Sequence, residues 1–287
     1  MSVSAKDVKA LRDSTGAGMM DCKRSLSDAD GDVERAMELL RERGLAKAGK
    51  RAGRETSEGA VVFRANGGRG VLIELGCETD FVAKTSEFQG LATNIAESIL
   101  ALGGEPDLDS ALATSMDGAT IDDAVKAAVA KMGENVQLKR VASVDVSGLV
   151  GGYVHGGGTL GVLLALETNA DSDGVAEILR DVAMHVAAHD PTPIAIDREG
   201  VPADIVEKER SFLKNQALES GKPENVIEKM VDGRINKFFA EKCLVEQKFV
   251  KDPDKSVREI LADAAQAVGG ELKVARFVRF KLGEAAS

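Results

Sequence analysis

Through the first 46 positions apolar residues recur at three- and four-residue spacing, the signature of short amphipathic helices. Val3, Val8 and Leu11 share one helical face, and that pattern fades near Ser14. The run "TGAG" then turns the chain, with Thr15 in a position to cap a second helix, "MMDCKRSLSDA". Asp32 is placed to cap a third, where Val33, Ala36, Met37 and Leu40 form the stripe and Gly44 suits a left-handed stop. Residues 1–46 therefore read as a three-helix unit with a small core. Residues 47–58 carry Lys47, Lys50, Arg51 and Arg54 before the first acid, Glu55. They read as a solvated helix end and linker, or as a basic tether that places the first unit against an acidic partner.

Beyond residue 58 the period changes from 3.6 to 2, and a repeat emerges. "GAVVFRANGGRGVLIEL" (59–75) is strand, Gly-rich turn, strand, and "EFQGLATNIAESIL" (87–100) is a helix. "GLVGGYVHGGGTLGVLLAL" (148–166) and "VAEILRDVAMHVAA" (175–188) repeat the order. Leu91, Ile95 and Ile99 match Ile178, Val182 and Val186. Two ββα halves, 59–147 and 148–200, predict an α+β core whose sheets are covered by helices on one face. "IDDAVKAAVAKMGENV" (121–136) reads as a helix and "QLKRVASVDV" as a strand. After a Pro-rich connector, two long amphipathic stretches joined by "GKP" predict an antiparallel helical hairpin arm over 201–245. Residues 246–287 supply a closing helix and strand, "ELKVARFVRFKL".

The two halves differ in length at one place. Leu75 lies 20 positions before Ile95, whereas Leu166 lies 16 before Val182. Four extra residues thus fall in "ETDFVAK" (78–84), in one half only, and an added loop of this kind points to function. In a chain with 3% aromatic residues, Phe81 stands there among polar neighbours beside Asp80.

Charge and composition narrow the partners. A net charge of −10 makes a wrapped nucleic acid or an anionic membrane surface a poor match. Cys22, Cys77 and Cys243 form no CxxC pair, the apolar runs are far shorter than a membrane span, and no secretory leader precedes the first helix. A cytoplasmic chain with reduced thiols is expected.

Candidate chemistry is thin. "GGGTLG" (156–161) satisfies the dinucleotide glycine pattern, but a strand follows it, so it is a hairpin turn. No Walker A sequence and no nucleophile elbow occurs. His185 and His189 have zinc-compatible spacing, but no general-base Glu lies between them, and a structural role at a helix end fits better. No catalytic residue, metal site or cofactor is expected. His155, on its Gly turn, is either an exposed contact or a solvated turn residue. Met19 and Met20 open the second helix about 100° apart, so a tiny bundle does not bury both, and adaptable Met contacts suit a partner surface. These features favour a binding protein over an enzyme.

"LRDSTGAGMMDCKRSL" (11–26) and "ELGCETDFVAK" (74–84) closely resemble the two signatures of the bacterial elongation factor Ts family. "GENVQLKRVA" (133–142), "AMHVAA" (183–188), "GKPENVIEKMVDGR" (221–234) and "FVRFKLGE" (277–284) also resemble it, in the family's order. The resemblance implies a ubiquitin-associated-like N-terminal domain, two related subdomains and an inserted helical hairpin. It implies a guanine-nucleotide exchange factor for elongation factor Tu that needs no cofactor and does not itself bind nucleotide. By that resemblance Thr79, Asp80, Phe81 and Val82 dislodge the partner's Mg²⁺, and Arg12, Met19 and Met20 dock the N-terminal domain. His155 is a further contact candidate, and the arm is open to partner contact or to homodimerisation.

Overall fold

A computed structural model describes residues 3–219 and 223–284. In chain order its elements are α1 (Ala5–Thr15), α2 (Met19–Asp28), α3 (Val33–Arg51), β1 (Glu58–Asn66), β2 (Arg69–Cys77), α4 (Asp80–Ala83), α5 (Ser86–Leu102) and α6 (Leu108–Leu112). There follow β3 (Ser115–Met116), β4 (Ala119–Thr120), α7 (Ile121–Met132), β5 (Val136–Asp145), β6 (Gly148–His155), β7 (Leu160–Thr168) and α8 (Ser172–Ala188). Last come α9 (Ala203–Leu218), α10 (Glu224–Lys242), β8 (Lys248–Phe249), β9 (Asp252–Ser256), α11 (Val257–Val268) and β10 (Leu272–Lys281). The chain is thus a mixed α and β protein.

The first three helices enclose Val8, Leu11, Cys22, Leu26, Ala29 and Ala36. Two local signals in this unit are overridden. Thr15 does not cap α2. It is the last residue of α1, and its hydroxyl donates to Leu11 O at 2.6 Å. Gly16, at φ +66°, makes the left-handed stop, and Gly18 caps α2 with no side-chain bond. Gly44 does not end α3 either. The helix continues to Arg51 because it packs along α7, and Gly44 marks a close approach: a Cβ there would lie 3.0 Å from that of Ala130. Arg51 then donates to Val129 O on α7, so part of the stretch read as linker is helix laid against the core.

The core is two three-stranded antiparallel sheets, ordered β1-β2-β5 and β10-β7-β6. One face of the first packs under α5 and α7, where Phe88, Ile95, Ile99 and Val125 meet Ile73 and Leu75. One face of the second packs under α8 and α11. The remaining faces pack on each other through Val61, Leu72, Val144, Val150, Leu163, Ala165 and Phe280. Helix, sheet, sheet and helix make four layers. The central strands β2 and β7 are therefore covered on both faces, which is why they read as unbroken apolar runs rather than alternating ones. Glycine permits the sheets to meet: a Cβ on Gly161 would come within 2.5 Å of Val61 Cγ1.

The repeat extends further than the ββα pattern in the sequence. Each sheet takes a third strand from far downstream, and each such strand follows a helix ended by a left-handed glycine: α7, Gly133, β5 in one half, and α11, Gly269, β10 in the other. The pairing slips once in each, between Glu74 and Leu75 opposite Lys139, and between Val274 and Arg276 at Ala275. Lys139 and Ala275 are each the fourth residue of their strand, so the same bulge recurs at the same place.

A buried ion pair within the first sheet also reaches the second. Arg140 on β5 gives Nε to Glu74 on β2 at 2.7 Å and binds it again through Nη2. The same guanidinium lies 4.3 Å over the Phe280 ring and donates to Lys281 O at 2.9 Å, both on β10.

In the arm, α9 and α10 run antiparallel, joined by Leu213, Ala217, Ile227, Val231 and Ile235 and by an Arg210–Asp232 ion pair at 2.8 Å. Gly221 and Lys222 of the "GKP" joint lie outside the described residues, while Pro223 is the N-cap of α10.

Candidate functional site: the strand-to-helix loop and the N-terminal surface

Between strand and helix the two halves part company. Residues 169–171 suffice from β7 to α8, but residues 78–85 separate β2 from α5. The longer connection folds into α4, a single turn made of Asp80, Phe81, Val82 and Ala83. Thr79 caps it, its hydroxyl accepting from Val82 N at 3.4 Å. Thr85 ends it and opens α5, donating to Val82 O at 2.8 Å and accepting from Phe88 N at 3.2 Å. Val82 packs against the first core and Ala83 is buried, so the turn has an inner face.

Its outer face carries Phe81, which is 81% exposed, the most exposed large apolar side chain described. Asp80 sits beside it, half-buried, in an ion pair with Lys84 at 2.5 Å. The hydrogen bond from Lys84 holds the Asp80 carboxyl below the usual carboxylate range, so it is charged at neutral pH. The loop thus presents an aromatic ring and an anion on a backbone whose ends are tied down.

The ties come from the turn between α7 and β5. The Glu134 carboxylate accepts from Thr79 N at 3.0 Å and from Thr79 Oγ1 at 2.6 Å. In return Glu78 accepts from Asn135 N at 2.7 Å, and this bond leads the causes that lower its pKa. Arg54 pairs with Glu78 at 3.2 Å, and its carbonyl accepts from the buried Asn135 side chain at 2.8 Å. Glu78 lies in the added loop "ETDFVAK" without being a candidate itself, and for Glu134 and Asn135 the only sequence signal is the likeness of "GENVQLKRVA" to the family.

The other sequence candidates lie elsewhere. Arg12 is exposed on α1, and Met19 and Met20, at 54% and 67% exposure, open α2. Met37 on α3 adds exposed apolar surface to the same unit. His155 is exposed on the β6–β7 turn, its Nδ1 2.9 Å from the Tyr153 hydroxyl. That turn touches the first sheet, since Gly158 O accepts from Val61 N at 2.7 Å.

His185 is a core bolt. It is fully buried, its Nδ1 accepts from Val250 N at 3.3 Å, and its Nε2 therefore donates to Gln247 Oε1 at 2.9 Å. Burial, with His189 beside it, lowers its pKa from 6.5 to about 4. The unfolded chain thus takes up this proton first, and the stability tied to neutral His185 is present above pH 6.5 and lost as pH falls toward 4. The full loss is about 3 kcal/mol at 1.36 kcal/mol per pKa unit. Urea midpoints are expected to drop from pH 7 to pH 5 in the wild type and to drop less in a His185→Gln chain; equal drops would remove His185 as the cause.

Thiol chemistry is disfavoured by the same physics. Burial pushes the Cys77 thiol up to about 12 and the Cys243 thiol up to about 11. Among the described residues no three His, Cys, Asp or Glu side chains group as a metal site, and no helix is long and apolar enough to cross a membrane.

What this surface offers is contact: a rigid aromatic and acidic tip, and a separate Met-bearing helical unit. Such a surface is of the kind that binding proteins present. Comparison with known proteins supplies the family. The family model described as Elongation factor TS matches residues 78–284, beginning at the loop itself. Elongation factor Ts of Clostridioides difficile (strain 630) is 46% identical over 99% of this chain and 93% of its own length. That of Aquifex aeolicus (strain VF5) is 43% identical over 99% of both, and that of Brucella ovis is 44% identical over 99% and 94%. The chain belongs to the elongation factor Ts family, the guanine-nucleotide exchange factors of translation elongation.

Proposed function

We propose that this chain binds GDP-loaded elongation factor Tu, disturbs its Mg²⁺ and phosphate site, and promotes release of GDP and reloading with GTP. The observation that carries the reading is Phe81: an aromatic ring left almost wholly in water on a turn that is otherwise fixed. A buried aromatic anchor in a partner's pocket is the commonest source of concentrated binding energy, and here the anchor is already oriented. Phe81 enters the partner, Thr79 and Val82 hold the turn, and the Asp80 carboxylate acts near the cation's outer shell or holds a displaced cationic group. Breaking the Asp80–Lys84 pair costs little, because both side chains are largely solvated. Arg12, Met19 and Met20 dock the N-terminal unit, read as ubiquitin-associated-like, on a second part of the partner. His155 is a further contact from the other half of the core.

No covalent step is needed. The factor lowers GDP affinity, and by reciprocity GDP lowers the factor's affinity, so GTP and Mg²⁺ rebinding expels it. The arm serves partner contact or pairing of two copies. The test is direct: mixing the chain with elongation factor Tu carrying fluorescent GDP is expected to accelerate release, by a smaller factor at low Mg²⁺, where the cation's hold on GDP is already weakened. Release at the spontaneous rate would remove the proposal.

A further inference from the structure

A single helical turn does not hold itself together in water. Nucleation costs more than the few hydrogen bonds of one turn return, so α4 needs outside support. Its own backbone bonds are few and of ordinary length, Ala83 N to Thr79 O at 3.2 Å, Lys84 N to Asp80 O at 3.1 Å and Thr85 N to Val82 O at 3.0 Å, and the cap from Val82 N to Thr79 Oγ1 is long at 3.4 Å. Two short bonds reach it from outside: Gln89 Nε2 donates to Ala83 O at 2.7 Å at its end, and at its start Thr79 Oγ1 donates to Glu134 at 2.6 Å, with Glu134 also taking Thr79 N. Glu134 itself follows the left-handed Gly133 that ends α7, and the next residue, Asn135, is buried and clamped by Glu78 and Arg54. The carboxylate is thus delivered by a part of the chain with no freedom to follow the loop.

We infer that Glu134 is a positioning residue for nucleotide exchange. It fixes Thr79, and through the Thr79 cap it sets the direction in which Asp80 and Phe81 leave the surface. This rests on the reading of Phe81 as the group that enters the partner. Glu134 lies at the base of the turn and is not called on to touch the partner. Its effect is to spare the complex the cost of ordering the loop on contact.

The experiment uses full-length chains: wild type, Glu134→Ala, Glu134→Gln, Phe81→Ala and the Phe81→Ala/Glu134→Ala double variant. Two quantities are read. Hydrogen exchange in the free chain reports the loop, and release of fluorescent GDP from elongation factor Tu at saturating factor reports function. Two hydrogen bonds to a charged group set the scale, so Glu134→Ala is expected to speed amide exchange across 79–85 by about tenfold or more, with the sheets unchanged. It is expected to slow GDP release by about tenfold. Glu134→Gln keeps an oxygen for Thr79 N–H and offers an N–H to the Thr79 hydroxyl, so it is expected to restore most of the rate. In the Phe81→Ala background, Glu134→Ala is expected to cost less than about twofold more, because a positioning residue has nothing left to position.

Wild-type release by Glu134→Ala would overturn the inference. So would a full additional loss in the double variant, or a loss of protection throughout the sheets, which would mark Glu134 as a general stabiliser. If Phe81→Ala alone releases GDP at the wild-type rate, the reading of Phe81 falls separately. Glu134→Ala then decides alone: slow release assigns the positioning to the rest of the loop, and wild-type release ends it.

Discussion

A Phe81→Ala chain is expected to melt with the wild type yet to release GDP from elongation factor Tu about tenfold more slowly, since removing an interface anchor costs about 1–2 kcal/mol or more. The two halves of this expectation come from one structural feature. With 81% of its surface in water, the ring contributes almost nothing to the folded core. The inner face of α4 is left intact, because Val82 and Ala83 do the packing and Thr79 and Thr85 make the caps. What the substitution removes is therefore surface that the fold itself does not use. The loss should show at saturating factor if Arg12, Met19 and Met20 dock the N-terminal unit as proposed. A stopped-flow trace with fluorescent GDP, alongside a thermal melt, reads both. Wild-type release would discard the anchor, and a melting temperature lowered by many degrees would show that the ring is not spare.

The largest stability effect is expected at Arg140. Arg140→Ala should destabilise the chain by about 3–5 kcal/mol, the cost of leaving a buried charge without its partner. The Glu74 side chain is 2% exposed and that of Arg140 is 11% exposed, so water does not replace the lost guanidinium. Lys139 Nζ, at 3.9 Å, is a distant substitute. The same deletion removes the cover over Phe280 and the bond to Lys281 O, so it loosens β10 of one sheet as well as β2 and β5 of the other. Urea unfolding should show the loss, and a Glu74→Leu/Arg140→Leu chain should recover most of it, because a well-packed apolar pair often matches a buried ion pair. A loss below about 1 kcal/mol for Arg140→Ala would mean that the pair is solvated in solution.

How much of this was legible in the sequence depends on the range over which each signal acts. Helices and strands of the core follow from periodicity, since Ile95 and Ile99 or Val182 and Val186 can face a sheet only at helical spacing. The extra length before α5 was countable, because strand and helix in each half fix the ends of the gap. That the four added residues form a helical turn was not, since their hydrophobicity shows no period over so short a run. Thr15 and Gly44 carried strong local preferences that lost to tertiary demands: the left-handed stop fell on Gly16, and packing against Ala130 drew α3 past Gly44. The Thr79–Glu134 and Glu78–Asn135 bonds join residues more than fifty positions apart, where no local pattern reaches. Of the third strands, β5 falls within the first half's bounds, 59–147, whereas β10 was legible as a closing strand but not as a member of the second half, for the same reason.

That third strand also sets a clock. The first sheet is complete once Val136 reaches Cys77, before the second half has been made. The second waits for Leu272 to reach Thr168, with the whole arm lying between them in the chain. At about 5–20 residues per second of synthesis, β7 spends roughly ten seconds with one edge unpaired, and an apolar open edge is what invites strands from other chains. In this protein the open edge lasts longest in the second half, since β2 waits only from Cys77 to Val136, and its duration is set by the speed of the same elongation cycle that the family serves.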